Sequence, residues 1–297
     1  MGGIIIFSGN ISSPAQLKAM TAKMRSISKI VPFISIDEEG GSVARIASSA
    51  SKGFKVTRYR SAASVGASGD PAKALEMGTT IGKYLKEYGF NLDFAPVADV
   101  NSNPKNQVIG SRAFSSNPNV AAKMVNAFID GLHKNGVLSC IKHFPGHGDT
   151  TADTHKGYVA VNKTWAQLQA MELVPFKASI DNTDFVMVAH LTLPKITSDG
   201  LPASVSKELI TGKLRGELGY KGLVITDALA MGAIAKNYTP AQTAVNAVLA
   251  GVDVLLNPAD LPKAFDALVA AVKSGKISEE RINESVLRIL KVKATLK

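Results

Sequence analysis

The chain has 297 residues, 34 basic against 24 acidic for a formal charge of +10, with 45% hydrophobic and 20% charged; it can build a sizeable core, which excludes a disordered or fibrous protein. No apolar run approaches the roughly 20 residues of a bilayer span, the start Met1-Gly2-Gly3-Ile4 lacks the pattern of a signal peptide, and the single cysteine, Cys140, excludes an internal disulfide. The basic residues are dispersed, without a basic helix, zinc-finger spacing or aromatic-basic motif, so specific nucleic-acid binding is not expected, whereas attraction to another anion, such as a cell-wall polymer or acidic sugar, remains open.

Seven apolar runs rich in Ile and Val are expected as strands, at 3–7, 32–37, 91–97, 137–143, 185–191, 223–227 and 252–257. Their continuous apolarity is the mark of strands buried on both faces of a parallel sheet. Helices fill the gaps, with starts marked by a capping residue and proline at Ser13-Pro14, Asp70-Pro71, Asn117-Pro118 and Thr239-Pro240. Strand and helix alternate without a linker rich in Gly, Pro or Ser, so one α/β domain over 1–297 is expected.

Nearly every run ends in a polar group: Asp37 with Glu38 and Glu39, Asp99, Lys142 with His143, His190, Asp227 and Asn257. Reactive groups at the C-terminal ends of many strands point to a (β/α)8 barrel, whose active site is built on that face. An open sheet would gather them at one switch point, and Ile6-Phe7-Ser8-Gly9-Asn10 does not supply a dinucleotide-binding turn.

The densest cluster reads KHFPGHGDTTADTH over 142–155. His143, His147, Asp149, Asp153 and His155 resemble metal ligands in spacing, so a barrel metallohydrolase is one rival. His133, alone on an expected helix, reads as structural. In GLVITDALAM, Asp227 ends an apolar strand and is either a nucleophile at the barrel mouth or a helix N-cap. In IDEEGGSVAR, the acidic residues Asp37, Glu38 and Glu39 with Arg45 suit a polyhydroxylated ligand, and Glu38 and Glu39 read equally well as solvated.

KHFPGHGDT with the following DTH, IDEEGG before it and TDALAM after it resemble the family 3 glycoside hydrolases, in their β-N-acetylglucosaminidase branch. GGIIIFSGNI, NLDFAPVADVN, VIGSRAF and RINESVLRILKVK extend the resemblance, in family order, over Gly2 to Lys293. It implies a (β/α)8 barrel and retaining, exo-acting hydrolysis of terminal β-linked N-acetylglucosamine, with peptidoglycan fragments as the expected source. Matched position by position, Asp227 is implied as nucleophile, His155 as general acid/base and Asp153 as its partner. Asp37, Arg45, Arg112, Lys142 and His143 are implied to bind the sugar. No metal or organic cofactor is implied, and a monomer is expected.

The chemistry agrees with the resemblance. A histidine titrates near neutrality, and an aspartate beside it fixes its tautomer, so the pair can replace the second carboxylate of a retaining glycosidase. A neutral base also repels an incoming anion less, which leaves a phosphorylase as an alternative, beside a β-glucosidase and a non-catalytic sugar-binding protein. The family often has Gln where Glu38 stands, Arg where Ser42 stands and a second acid where Ala228 stands. The family's first strand and helix precede GGIIIF, so seven strands are counted where closure needs eight. The N-terminus is accordingly expected to be truncated, which leaves a cytoplasmic and a cell-wall location both open.

Overall fold

The computed structural model describes residues 2–150 and 159–296. Six strands, Gly3–Ile6, Phe33–Ile36, Leu92–Asp93, Leu138–Phe144, Phe185–Val188 and Leu223–Thr226, lie side by side in chain order. Every pairing between them is parallel. The seventh expected run, 252–257, joins this sheet through one parallel bridge, Val254 to Ile225.

Successive residues of a strand enter different cores. Phe33, Phe185, Met187 and Ile225 pack with Leu256 on the inner side, while Ile34, Ile36, Val186, Val188 and Val224 face the helices. Both faces are dry, which is why the runs are continuously apolar. The Phe33 and Phe185 rings, from the second and fifth strands, meet edge to face at 5.2 Å between centroids. Strands three places apart in a flat sheet, at about 4.8 Å per step, cannot bring side chains so close. The sheet therefore curls as a barrel wall does.

All four proline-marked starts are helix N-termini, of Pro14–Ser26, Pro71–Glu87, Pro118–His133 and Pro240–Ala250. The side chains of Ser13, Asp70, Asn117 and Thr239 accept from first-turn amides, a contribution of about 1 kcal/mol each.

Among the described residues the wall does not close. Gly3–Ile6 pairs on one side only, and a cavity of about 440 Å³ separates it from 252–257, lined by Ile4, Ile5, Phe94, Leu256 and Leu261 among others. The expected eight-fold barrel is thus present as a curved parallel wall of six strands and a bridged seventh segment. Parallel order sends every strand's C-terminal end to one rim, where the polar residues collect. No helix among the described residues is long and apolar enough to cross a membrane.

Candidate active site

Asp37 directly follows Phe33–Ile36, Lys142 and His143 stand near the end of Leu138–Phe144, and Asp227 directly follows Leu223–Thr226. Arg112 ends the short turn Gly110–Arg112, and Arg45 follows the hairpin of Glu38–Gly40 with Val43–Ala44. These six side chains line one pocket of about 200 Å³, together with Glu39, His147, Met187 and Met231. All predicted site residues among the described ones are therefore brought together. Asp153 and His155 lie outside the described residues.

Two carboxylates bind the cations of the rim. Lys142 Nζ donates to Asp37 Oδ1 at 2.8 Å and lies 2.6 Å from Glu39 Oε1. Arg112 clasps Glu39 with its planar fork, Nε to Oε2 and Nη2 to Oε1, both at 2.8 Å. Arg45 Nη2 reaches Asp37 Oδ2 at 3.4 Å. Burial opposes the charge on Glu39, but Arg112 and Lys142 outweigh it and hold the carboxyl far below its usual range. Burial likewise opposes the Lys142 charge, and Asp37 and Glu39 more than reverse it.

The solvated reading of Glu38 and Glu39 is corrected: both are buried, at 0% and 4% exposure. Glu38 Oε2 accepts from the Ile46 amide and Oε1 from the Ala47 amide and the Tyr84 hydroxyl, each at 2.9 Å. These bonds tie down the segment after Arg45, and a Gln side chain could offer only one of the two acceptors. Burial pushes the Glu38 carboxyl up despite these donors.

His143 is oriented from behind. Asp99 Oδ2 lies 2.6 Å from His143 Nδ1 and accepts from the His143 amide, while Oδ1 accepts from the His147 amide at 2.7 Å. Burial opposes the Asp99 charge, yet His143 and His147 hold the carboxyl below its ordinary value. On the pocket side His143 Nε2 lies 3.4 Å from Arg112 Nη2, so Asp99 and Arg112 hold the ring by its two nitrogens. The Lys142–His143 peptide bond is cis.

The loop beyond is pressed onto its neighbours at two glycines. A Cβ on Gly146, which has φ +125°, would sit 2.6 Å from Glu172 Cβ, and one on Gly148 only 1.7 Å from the Val100 carbonyl oxygen. His147 Nδ1 pairs with Thr150 Oγ1 at 2.8 Å, and burial with the neighbouring His143 pushes its pKa down. Of the metal-like set, His143 is engaged by Asp99, His147 by Thr150 and Asp149 by Lys163. No group of three or more metal-ligating side chains converges among the described residues.

Asp227 is not a helix cap: the next helix, Gly232–Ala235, has Met231 at its N-cap. Its amide donates to the Val188 carbonyl at 2.9 Å, and its Oδ1 accepts from the Ala228 amide at 2.7 Å. Burial opposes its charge, but His143, His190, the Ala228 amide and Lys142 hold the carboxyl below its ordinary value. His190 fixes this turn, with Nε2 donating to the Ala228 carbonyl at 3.0 Å and Nδ1 paired with Ser204 Oγ at 2.7 Å.

Glu39, Asp99 and His190 were not among the expected site residues, although their positions at or just after strand ends carried the same signal as the others. His133 is structural, as expected: its Nε2 pairs with Asp184 Oδ2 at 2.8 Å, just before the strand Phe185–Val188 and so at the far end of the sheet.

A pocket at the C-terminal rim of a curled parallel sheet, walled by hydrogen-bonding ions and holding an ionised aspartate, is the kind of site found in barrel enzymes that act on sugars. Residues 1–292 match the glycosyl hydrolase family 3 N terminal domain, and the chain belongs to that family. It is 36% identical over 327 aligned positions to beta-hexosaminidase A of Pseudoalteromonas piscicida, covering 100% of this chain and 54% of the relative. Among solved structures it is similar to a glycoside hydrolase family 3 beta-N-acetylglucosaminidase from Paenibacillus sp. str. FPU-7. There the TM-score is 0.94 at 41% identity, over 99% of this chain and 56% of that one. The beta-glucoside phosphorylase BglX bound to 2FGlc also matches, with TM-score 0.89 and 27% identity over 99% of this chain and 53% of that one. The chain thus spans about half the length of these relatives.

Proposed function

We propose that the chain is the catalytic barrel, one domain over 1–297, of a retaining exo-β-N-acetylglucosaminidase acting on peptidoglycan-derived fragments. The observation that carries this reading is Asp227, a carboxylate kept ionised at a strand end and facing a pocket walled by Asp37, Arg45, Arg112, Lys142 and His143. The beta-hexosaminidase relatives support an acetamido sugar as the substrate.

In the first step an Asp227 oxygen bonds to the anomeric carbon while the glycosidic C–O bond breaks. The departing oxygen takes a proton from His155, aligned by Asp153. In the second step His155 takes a proton from water, whose oxygen displaces Asp227 and regenerates the free carboxylate. Asp37 accepts from sugar hydroxyls, and Lys142, Arg45 and Arg112 donate to them. Because these groups already hold one another, the pocket needs little reorganisation when the positive charge develops on the sugar.

A panel of aryl β-glycosides tests the reading. The N-acetylglucosaminide is expected to be the best substrate, well above the glucoside and xyloside. Preference for the glucoside would overturn the assignment.

A phosphorylase is the second reading, favoured by the likeness to BglX. Against it, the described pocket residues set three carboxylates, Asp37, Glu39 and Asp227, against three cations, Arg45, Arg112 and Lys142, leaving no surplus positive charge for phosphate. Product analysis with added phosphate is expected to show no sugar 1-phosphate.

A further inference from the structure

Beside the pocket, where residues 151–158 leave and rejoin the described chain, stands a polar cluster that none of the roles above uses. Its centre is Glu172, with 0% exposure. Glu172 Oε1 accepts from Lys163 Nζ at 2.6 Å and from Ser102 Oγ at 3.1 Å. Lys163 Nζ also reaches Asp149 Oδ1 at 3.1 Å. One ammonium group therefore joins Asp149, which precedes residues 151–158 in sequence, to a fully buried carboxylate, and Lys163 itself follows those residues.

The flanks are held elsewhere too. Before the segment, Asn103 Nδ2 donates to the Asp149 carbonyl at 3.1 Å and Asn106 Nδ2 to the His147 carbonyl at 2.8 Å. After it, Val159–Ala160 pairs in parallel with Leu191–Thr192. The Lys163 side chain is 25% exposed and that of Glu172 0%, so this is not a solvated surface pair of small consequence. Burial opposes the Lys163 charge, and Glu172 and Asp149 more than restore it.

We propose that Lys163 is a positioning residue for proton transfer: by tying Asp149 and itself, the described residues on either side of 151–158, to the buried Glu172, it supports the acid/base carried between them in sequence. This rests on the reading of His155 as that acid/base. Holding the two anchor points matters because proton transfer needs heavy atoms within hydrogen-bond reach, and a misplacement of about 1 Å costs up to roughly 100-fold. Glu172 acts through Lys163, and Ser102 holds Glu172 from the segment after Asp99.

The test compares two aryl β-N-acetylglucosaminides by kcat/KM, which reports the step that breaks the glycosidic bond. Dinitrophenolate leaves without protonation, whereas phenol needs the acid. Lys163→Met is expected to lose about tenfold or more on the phenyl substrate and less than about threefold on the dinitrophenyl one. Lys163→Arg is expected to restore most of the loss, and Glu172→Gln to follow Lys163→Met. An equal loss on both substrates, or no loss on either, would overturn the proposal, as would a loss that vanishes once the active fraction is corrected by thermal melting. His155→Ala separates the premise from the proposal. It must show the same leaving-group selectivity, more strongly; if it does not, the reading of His155 fails and the role of Lys163 in proton transfer fails with it.

Discussion

Two buried ionic clusters occupy opposite ends of the sheet. At the base, Asp253 is fully enclosed: its Oδ2 meets Arg215 Nη2 at 2.5 Å and the Val224 amide at 3.0 Å, and its Oδ1 meets Ser285 Oγ at 2.5 Å and Arg288 Nη1 at 2.8 Å. Arg281 alongside donates to the Val248 and Val252 carbonyls. Both Asp253 oxygens are fully used in fastening the helix Glu279–Lys293 and the segment around Arg215 to the strands. At the rim, Asp37, Glu39, Arg112 and Lys142 are as strongly paired, yet their side chains also border a pocket. Burial and pairing are common to both clusters, and Asp253 also lines the apolar seam cavity; what separates the two is that the rim pocket lies at the strands' C-terminal ends and is walled by ions.

That contrast orders the expected effects of substitution. Asp227→Ala removes the group that would bond to the sugar and is expected to lower kcat/KM about 10⁴-fold or more, with an unchanged melting temperature. Next, Glu39→Ala and Asp253→Ala each take a buried carboxylate from two cations, Arg112 and Lys142 or Arg215 and Arg288, and are expected to cost about 3 kcal/mol of stability in denaturant titrations. Only Glu39→Ala is expected to impair the activity of the fraction that remains folded. If Asp253→Ala impaired it equally, the division between rim and base would break. Arg112→Lys keeps the charge but loses the fork on Glu39, so about a tenfold loss of kcat/KM is expected with a smaller change in stability.

The smallest effects concern pH. The His133 pKa is raised: burial opposes its charge, but the hydrogen bond to Asp184 prevails. Its contribution is therefore fully present below the unfolded value of about 6.5 and is lost as pH rises through the higher folded value. His133→Gln should flatten stability across that window by about 1 kcal/mol or less. Glu39, Asp99 and Asp227 have the opposite sign. Their contribution is present above the ordinary carboxylate range of about 4 and is lost as pH falls through their lowered values. Melting curves between pH 2 and 9, on the order of one per pH unit, check both signs.

Much of the site was legible because a parallel wall places every strand end at one rim, so Asp37, Lys142, His143 and Asp227 could be picked by position alone. Glu39 carried the same strand-end signal, but an acid followed by two glycines reads equally well as a solvated turn. Its burial depends on Arg112, distant in sequence. The helix-cap reading of Asp227 failed because Met231, not Asp227, precedes the next helix. The count of seven strands anticipated a wall one short of closure, but the shape of the seam at 252–257 depends on pairing that no local pattern encodes. Lys163 and Glu172 carry no strand-end signal; only the fold brings them together with Asp149.

The central claim is that Asp227 bonds to the sugar, and trapping tests it most directly. A 5-fluoro-β-N-acetylglucosaminyl fluoride has a leaving group that departs readily and a ring that turns over slowly, so the covalent intermediate accumulates. Proteolysis and mass spectrometry of the treated enzyme are expected to place one sugar residue on Asp227. The same label on another residue, or turnover of the reagent with no covalent label at any time, would contradict the account.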